Sequence, residues 1–118
     1  GGAIINVASP TGLTGCAPGQ TAYSSSKGGV FALTRVMAID YARDNIRVNA
    51  LVPGTVITPL TETVLGDPAF RANREELMPI GRLGKPEDVV GLAVFLASDE
   101  ASFCVGGFYM VDGGMMAK

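Results

Sequence analysis

The chain has 118 residues, of which 47% are hydrophobic and only 17% charged, and its formal net charge is −2. That length allows one small domain at most, and a slightly acidic balance without any Lys/Arg cluster excludes nucleic acid and anionic membrane as electrostatic partners. There is no histidine, so Ser-His catalysis, Cys-His catalysis and histidine metal sites cannot be built, and no metal is expected.

Residues 3–9, Ala3-Ile4-Ile5-Asn6-Val7-Ala8-Ser9, are nearly all apolar and rich in β-branched side chains. This predicts a strand covered on both faces, the habit of parallel sheets. Ser9 would stand at its carboxyl end, where open α/β sheets bind ligands; a serine there also serves as an ordinary turn cap. From Pro10 to Gln20 the chain holds three glycines and two prolines, a break between elements that either lines a pocket or merely connects.

Residues 21–44 read as one long helix. Thr21 is the expected N-cap, Val30, Leu33, Thr34, Met37, Ala38 and Tyr41 recur at helical spacing, and Asn45 suits a left-handed cap. Gly28 and Gly29 each cost ~1 kcal/mol relative to alanine inside a helix, so something is expected to approach the backbone there. Tyr23 and Lys27 are four apart and share one helix face. A phenol ionises near ~10 in water; a cation ~4 Å away at an effective dielectric of ~20 is worth roughly 4 kcal/mol, enough to bring such a group toward neutral pH in a partly dry site. By itself the pair also fits a solvated helix face.

Residues 46–52 form a second apolar strand, interrupted by Asn49, which needs hydrogen-bond partners if buried. Pro53-Gly54 stops it, and Gly54, without a Cβ, would let a flat ring approach the backbone; a plain Pro-Gly turn accounts for it equally. Residues 59–84 are the most irregular. Asp67-Pro68 predicts the start of a short helix with Phe70 and Leu77 facing inward. Leu60, Val64, Leu65, Phe70 and Met78 make this region apolar, while Arg71, Arg74 and Arg82 are expected in solvent. Gly84-Lys85-Pro86-Glu87-Asp88 is a helix start, and Val89 to Ala97 is apolar almost all round, which predicts a well-buried helix. Phe108-Tyr109-Met110-Val111 is a last strand, with a structural role expected for Asp112.

The mean hydropathy of +0.33 is high for a small domain, so an apolar face is expected to be covered by something outside these residues. No apolar run reaches the ~20 residues of a membrane span, and no basic-then-apolar signal segment is present. Two cysteines, Cys16 and Cys104, in such a chain read as reduced thiols of a cytoplasmic protein.

A strand-end Ser9, a helix start Tyr23-Ser24-Ser25-Ser26-Lys27 and a strand followed by Pro53-Gly54-Thr55-Val56-Ile57-Thr58 occur in that order. From Gly1 to Gly114 the chain resembles the short-chain dehydrogenase/reductase family. The resemblance implies an α/β fold, a three-layer Rossmann-like parallel sheet. Residues 1–118 correspond to its C-terminal half, about three strands with flanking helices. It implies an NAD(P)-dependent oxidoreductase acting on an alcohol or ketone. Ser9, Tyr23 and Lys27 would be catalytic, with Tyr23 as general acid/base. Tyr23, Lys27, Pro53, Gly54, Val56 and Thr58 would meet the NAD or NADP cofactor, the Val56 backbone and Thr58 hydroxyl holding its carboxamide. The Ser9-to-Tyr23 spacing is one residue longer than usual in the family, the extra residue falling within Cys16–Gly19. The family also implies a homo-oligomer, dimer or tetramer, built on the long helix. No Gly-x-Gly-x-x-Gly occurs, and the family's catalytic asparagine would also lie upstream. A second expectation is therefore a catalytically inactive truncated half-domain that associates with another chain through its sheet edge.

Overall fold

The computed structural model describes residues 1–117. Among them are three strands, β1 (Gly2–Val7), β2 (Ile46–Pro53) and β3 (Phe108–Val111), and four α-helices, α1 (Thr21–Tyr41), α2 (Pro59–Leu65), α3 (Pro68–Leu77) and α4 (Pro86–Ala97). The sheet is parallel throughout, in the order β1-β2-β3. Gly2 pairs with Ile46 and Val7 with Leu51; Ala50 pairs with Phe108 and Pro53 with Val111.

β2 is the central strand, and Val48 to Val52 are all buried on it. Its side chains alternate between two helical layers. Ala50 and Val52 face α1, where they form a core with Ala8 and Phe31. Phe31 packs on Phe108 with ring centroids 4.5 Å apart. On the opposite face, Arg47 donates from Nη1 to Leu96 O (3.0 Å) and from Nη2 to Ser98 O (2.9 Å). A cation thus sits on the carbonyls at the end of α4, where the helix dipole favours it. Asn49, 1% exposed, fastens two loop groups: its Nδ2 donates to Cys104 O (2.8 Å) and its Oδ1 accepts from Gly107 N (3.0 Å).

Several expectations need correction. β1 is an edge strand in this sheet and is only half-buried, because β2 covers one edge and neither face is fully packed. It ends at Val7, so Ser9 lies two residues past it, capping a short 3₁₀ turn over Pro10–Gly12. Thr21 is the first residue of α1 rather than its cap; Gln20 is the cap and makes no side-chain cap bond. The helix runs to Tyr41 and tightens into a 3₁₀ turn at Ala42–Asp44, and Asn45 takes the expected left-handed conformation at φ 59°.

The close approach sought at Gly28 and Gly29 is made possible by another glycine. A Cβ on Gly12 would lie 2.7 Å from the Lys27 carbonyl carbon, so the 3₁₀ turn packs directly on the α1 backbone. Residues 59–84 are mostly helical rather than irregular. Thr58 caps α2 and Asp67 caps α3, and each helix begins with proline. α4 buries Leu96 but leaves Val90 and Val94 exposed, because the sheet covers only one of its faces. Its first turn is fixed by Asp88, whose Oδ2 accepts from Lys85 N (2.8 Å) while its two oxygens take a bidentate bond from Arg82 (2.8 and 3.1 Å).

Candidate active site

The carboxyl ends of β1 and β2, the start of α1 and the helices α2 and α3 converge on a cleft of about 320 Å³. Ser9, Tyr23, Pro53, Gly54 and Val56 all line it. Five of the seven residues singled out in the sequence are therefore gathered in one place by a fold that joins them across 47 positions, from 9 to 56.

Ser9 is buried, and its Oγ accepts a long bond from Thr11 N at 3.4 Å. It is both a turn cap and a wall of the cleft. Tyr23 is 47% exposed, so the phenol stands open to water in these residues and the dry environment assumed for it is not provided by the chain described. Lys27 lies one turn further along α1. Its Nζ donates to Val7 O at 3.2 Å and sits 5.8 Å from the centre of the Tyr23 ring. The ammonium is thus anchored to the end of β1 beside the phenol ring.

Two expected cofactor residues stand differently from their sequence reading. Gly54 lacks a Cβ because Asp112 fills that space: an added carbon would come within 2.9 Å of the Asp112 Cα. Close packing against the chain's own backbone accounts for a glycine at this position. Asp112 is structural as expected, its carboxylate accepting from Gly114 N (3.0 Å) and Met116 N (2.9 Å). Thr58 does not line the cleft; its hydroxyl accepts from Thr61 N at 3.3 Å and caps α2. Val56 does line it. Among the described residues no acceptor meets its N–H, while its carbonyl accepts from Thr61 Oγ1 at 2.8 Å. The nicotinamide end of a dinucleotide fits what is present: an anchored lysine with further protons to donate, an unspent backbone N–H and a phenol at the cleft mouth.

Arg74 was expected in solvent. It is instead 9% exposed and lines the same cleft, its guanidinium carbon 4.9 Å above the centre of the Phe70 ring. The signal was present in the sequence: Phe70, Arg74 and Leu77 fall at positions i, i+4 and i+7 of one helix, so the inward face of α3 includes the arginine. Arg74 is close enough to act on Cys16 of the facing loop. Burial pushes that thiol up from its ordinary range, and the Arg74 charge pulls it partly back. Arg71 and Arg82 are surface residues as expected, paired with Glu75 (2.9 Å) and Asp88. Thr11, Gln20, Thr55, Thr61 and Met115 also line the cleft and were not singled out. Thr11 Oγ1 is fully buried without a hydrogen-bond partner among the described residues.

A family model described as enoyl-(acyl carrier protein) reductase matches residues 1–116. The chain is 50% identical over 117 residues to cis-4-hydroxycyclohexanecarboxylate dehydrogenase of Sinomonas cyclohexanicum, covering 98% of this chain and 45% of that protein. It is 47% identical over 120 residues to a Xanthobacter autotrophicus protein named inactive 2-(S)-hydroxypropyl-CoM dehydrogenase 2, covering 98% and 52%. Among solved structures, a gluconate 5-dehydrogenase from Burkholderia cenocepacia in complex with NADP and tartrate superposes with a TM-score of 0.93 at 35% identity, over 98% of this chain and 45% of that one. The chain spans about half the length of the curated relatives it matches.

Proposed function

The chain belongs to the short-chain dehydrogenase/reductase family, and on that premise we propose that it carries the proton-transfer half of an NAD(P)-dependent oxidoreductase acting on a small alcohol or ketone. The observation that carries this reading is the meeting of Ser9 and Tyr23 in one cleft with Lys27 anchored beside the tyrosine. The dehydrogenase names of the relatives and the NADP in the Burkholderia cenocepacia structure support it.

Ser9 Oγ and the Tyr23 hydroxyl hold the substrate oxygen between them. Tyr23 takes the hydroxyl proton when an alcohol is oxidised and returns it when a ketone is reduced. A bound NAD or NADP supplies or accepts the hydride at the adjacent carbon. Lys27 keeps a positive charge beside Tyr23 as its oxygen loses the proton, and offers its remaining protons to the nicotinamide ribose. Pro53 and Gly54 shape the floor of the cleft. The Val56 N–H, joined by the Thr58 hydroxyl once that turns from its capping of α2, orients the carboxamide and thereby the ring face that meets the substrate. The protein is cytoplasmic and works as a homo-oligomer, dimer or tetramer; two free cysteines support the first point, and the exposed Val36 and Ile39 on α1 support the second.

A second reading is favoured by a different observation. β1 leaves one edge unpaired among the described residues, and Val7 on it is exposed. On that reading the natural gene product is catalytically inactive and associates with another chain along β1. Assaying the natural gene product with NAD and NADP against a panel of secondary alcohols and ketones separates the two. Cofactor-dependent turnover supports the oxidoreductase, and its absence across the panel, with both cofactors, supports the inactive reading.

A further inference from the structure

We propose that Arg74 selects a substrate bearing a carboxylate, so that the cleft takes hydroxy acids or oxo acids rather than uncharged alcohols. The inference rests on the reading of Ser9 and Tyr23 as the reacting end of the cleft.

Arg74 is nine-tenths buried on α3, and Phe70 stacks beneath its guanidinium. Among the described residues it makes no hydrogen bond and no ion pair, whereas Arg71 and Arg82 both have carboxylate partners. Its nitrogens are not sealed in, since Thr11 Oγ1 is the side-chain polar atom that is both enclosed and unbonded there. Arg74 lines the cleft, so a ligand there can reach its unpaired donors. A guanidinium with so little access to water is under-solvated, and a stacked ring offsets only part of that cost. A planar carboxylate completes the guanidinium with two parallel charge-assisted bonds.

The remaining lining decides between anions. Among the described residues no lysine and no second arginine lines the cleft, and Leu60, Val64, Leu65 and Phe70 make the wall on the Arg74 side apolar. One guanidinium in an apolar wall balances a monoanion. A phosphate dianion would keep excess charge away from water. An apolar spacer with an acid at one end and a hydroxyl or carbonyl at the other matches the arrangement of Arg74, the apolar wall, and Ser9 with Tyr23.

The test is calorimetric titration of the natural gene product with benzoate, benzamide and phenyl phosphate, in wild type, Arg74→Met and Arg74→Lys. These probes need no turnover, so the result stands apart from whether Tyr23 is the proton donor. Benzoate should bind wild type ~10-fold or more tightly than benzamide, the effect of a charge-assisted bond. The preference should fall below about twofold in Arg74→Met and survive in part in Arg74→Lys. Saturating NADP should leave benzoate binding in place. No preference for benzoate in wild type would overturn the proposal, a comparison that does not depend on any variant folding. A preference that survives Arg74→Met, tighter binding of phenyl phosphate, or displacement of benzoate by NADP would overturn it as well.

Discussion

Lys27 Nζ donates to the Val7 carbonyl across 3.2 Å, so the first turns of α1 are tied to the carboxyl end of β1. The bond fixes where the ammonium sits, 5.8 Å from the centre of the Tyr23 ring, and it uses one of three donors. Position and spare donor capacity thus come from the same contact.

Replacing Lys27 with methionine removes both. Turnover should fall by at least ~100-fold, the lower range for assisted proton transfer. Cofactor affinity should weaken ~10-fold, about one charge-assisted hydrogen bond. Stability should change by no more than ~1 kcal/mol, since the lost bond is solvent-exposed. Steady-state kinetics and cofactor titration check this, and an unchanged cofactor affinity would rule out the ribose contact.

Asn49 makes a different kind of contribution. Its replacement by leucine leaves the Cys104 carbonyl and the Gly107 N–H without the partners they now have. Two such groups, at ~1–3 kcal/mol each and with partial relief by water, should lower stability by roughly 2–4 kcal/mol. Urea unfolding measures it; a loss below ~1 kcal/mol would mean that the two loops do not depend on Asn49.

Asp88 provides a pH-dependent tie. The Arg82 guanidinium, then the Lys85 N–H, hold its carboxyl down from 3.8 to about 2. Because the folded value is depressed, this stabilisation is present in full above the ordinary value and is lost as the pH falls from about 4 through about 2. In Asp88→Asn that part of the acid-induced loss should vanish. The variant should be less stable than wild type at neutral pH and converge with it near pH 2. Parallel stability curves over this window would show that the Arg82–Asp88 pair contributes nothing.

The elements legible in the sequence were those in which a local signal and the tertiary environment agree. β2 combined an apolar run with a Pro-Gly stop, α3 an Asp-Pro start, and Asn45 a conformation that few other residues take readily. Ser9, Tyr23 and Val56 were traceable because their order along the chain carries the family resemblance, and the cleft brings them together.

What escaped was set by partners distant in sequence. At Gly54 the packing of Asp112 against the backbone escaped, because it depends on where β3 brings the chain back. Arg74 looked like a solvated charge, since charge outweighs helical phase when a sequence is read for burial; a ring one turn away and a cleft beneath reverse that. α4 looked wholly buried, but an apolar surface all round a helix does not tell how many of its faces these residues cover.

The central claim is that Tyr23 transfers the proton, and the most direct measurement compares Tyr23→Phe with wild type in the natural gene product. The substitution removes one hydroxyl and keeps the ring beside Lys27. Turnover should fall by ~100-fold or more while NAD or NADP affinity stays within about twofold. Undiminished turnover in Tyr23→Phe would contradict the account, whatever the cofactor affinity.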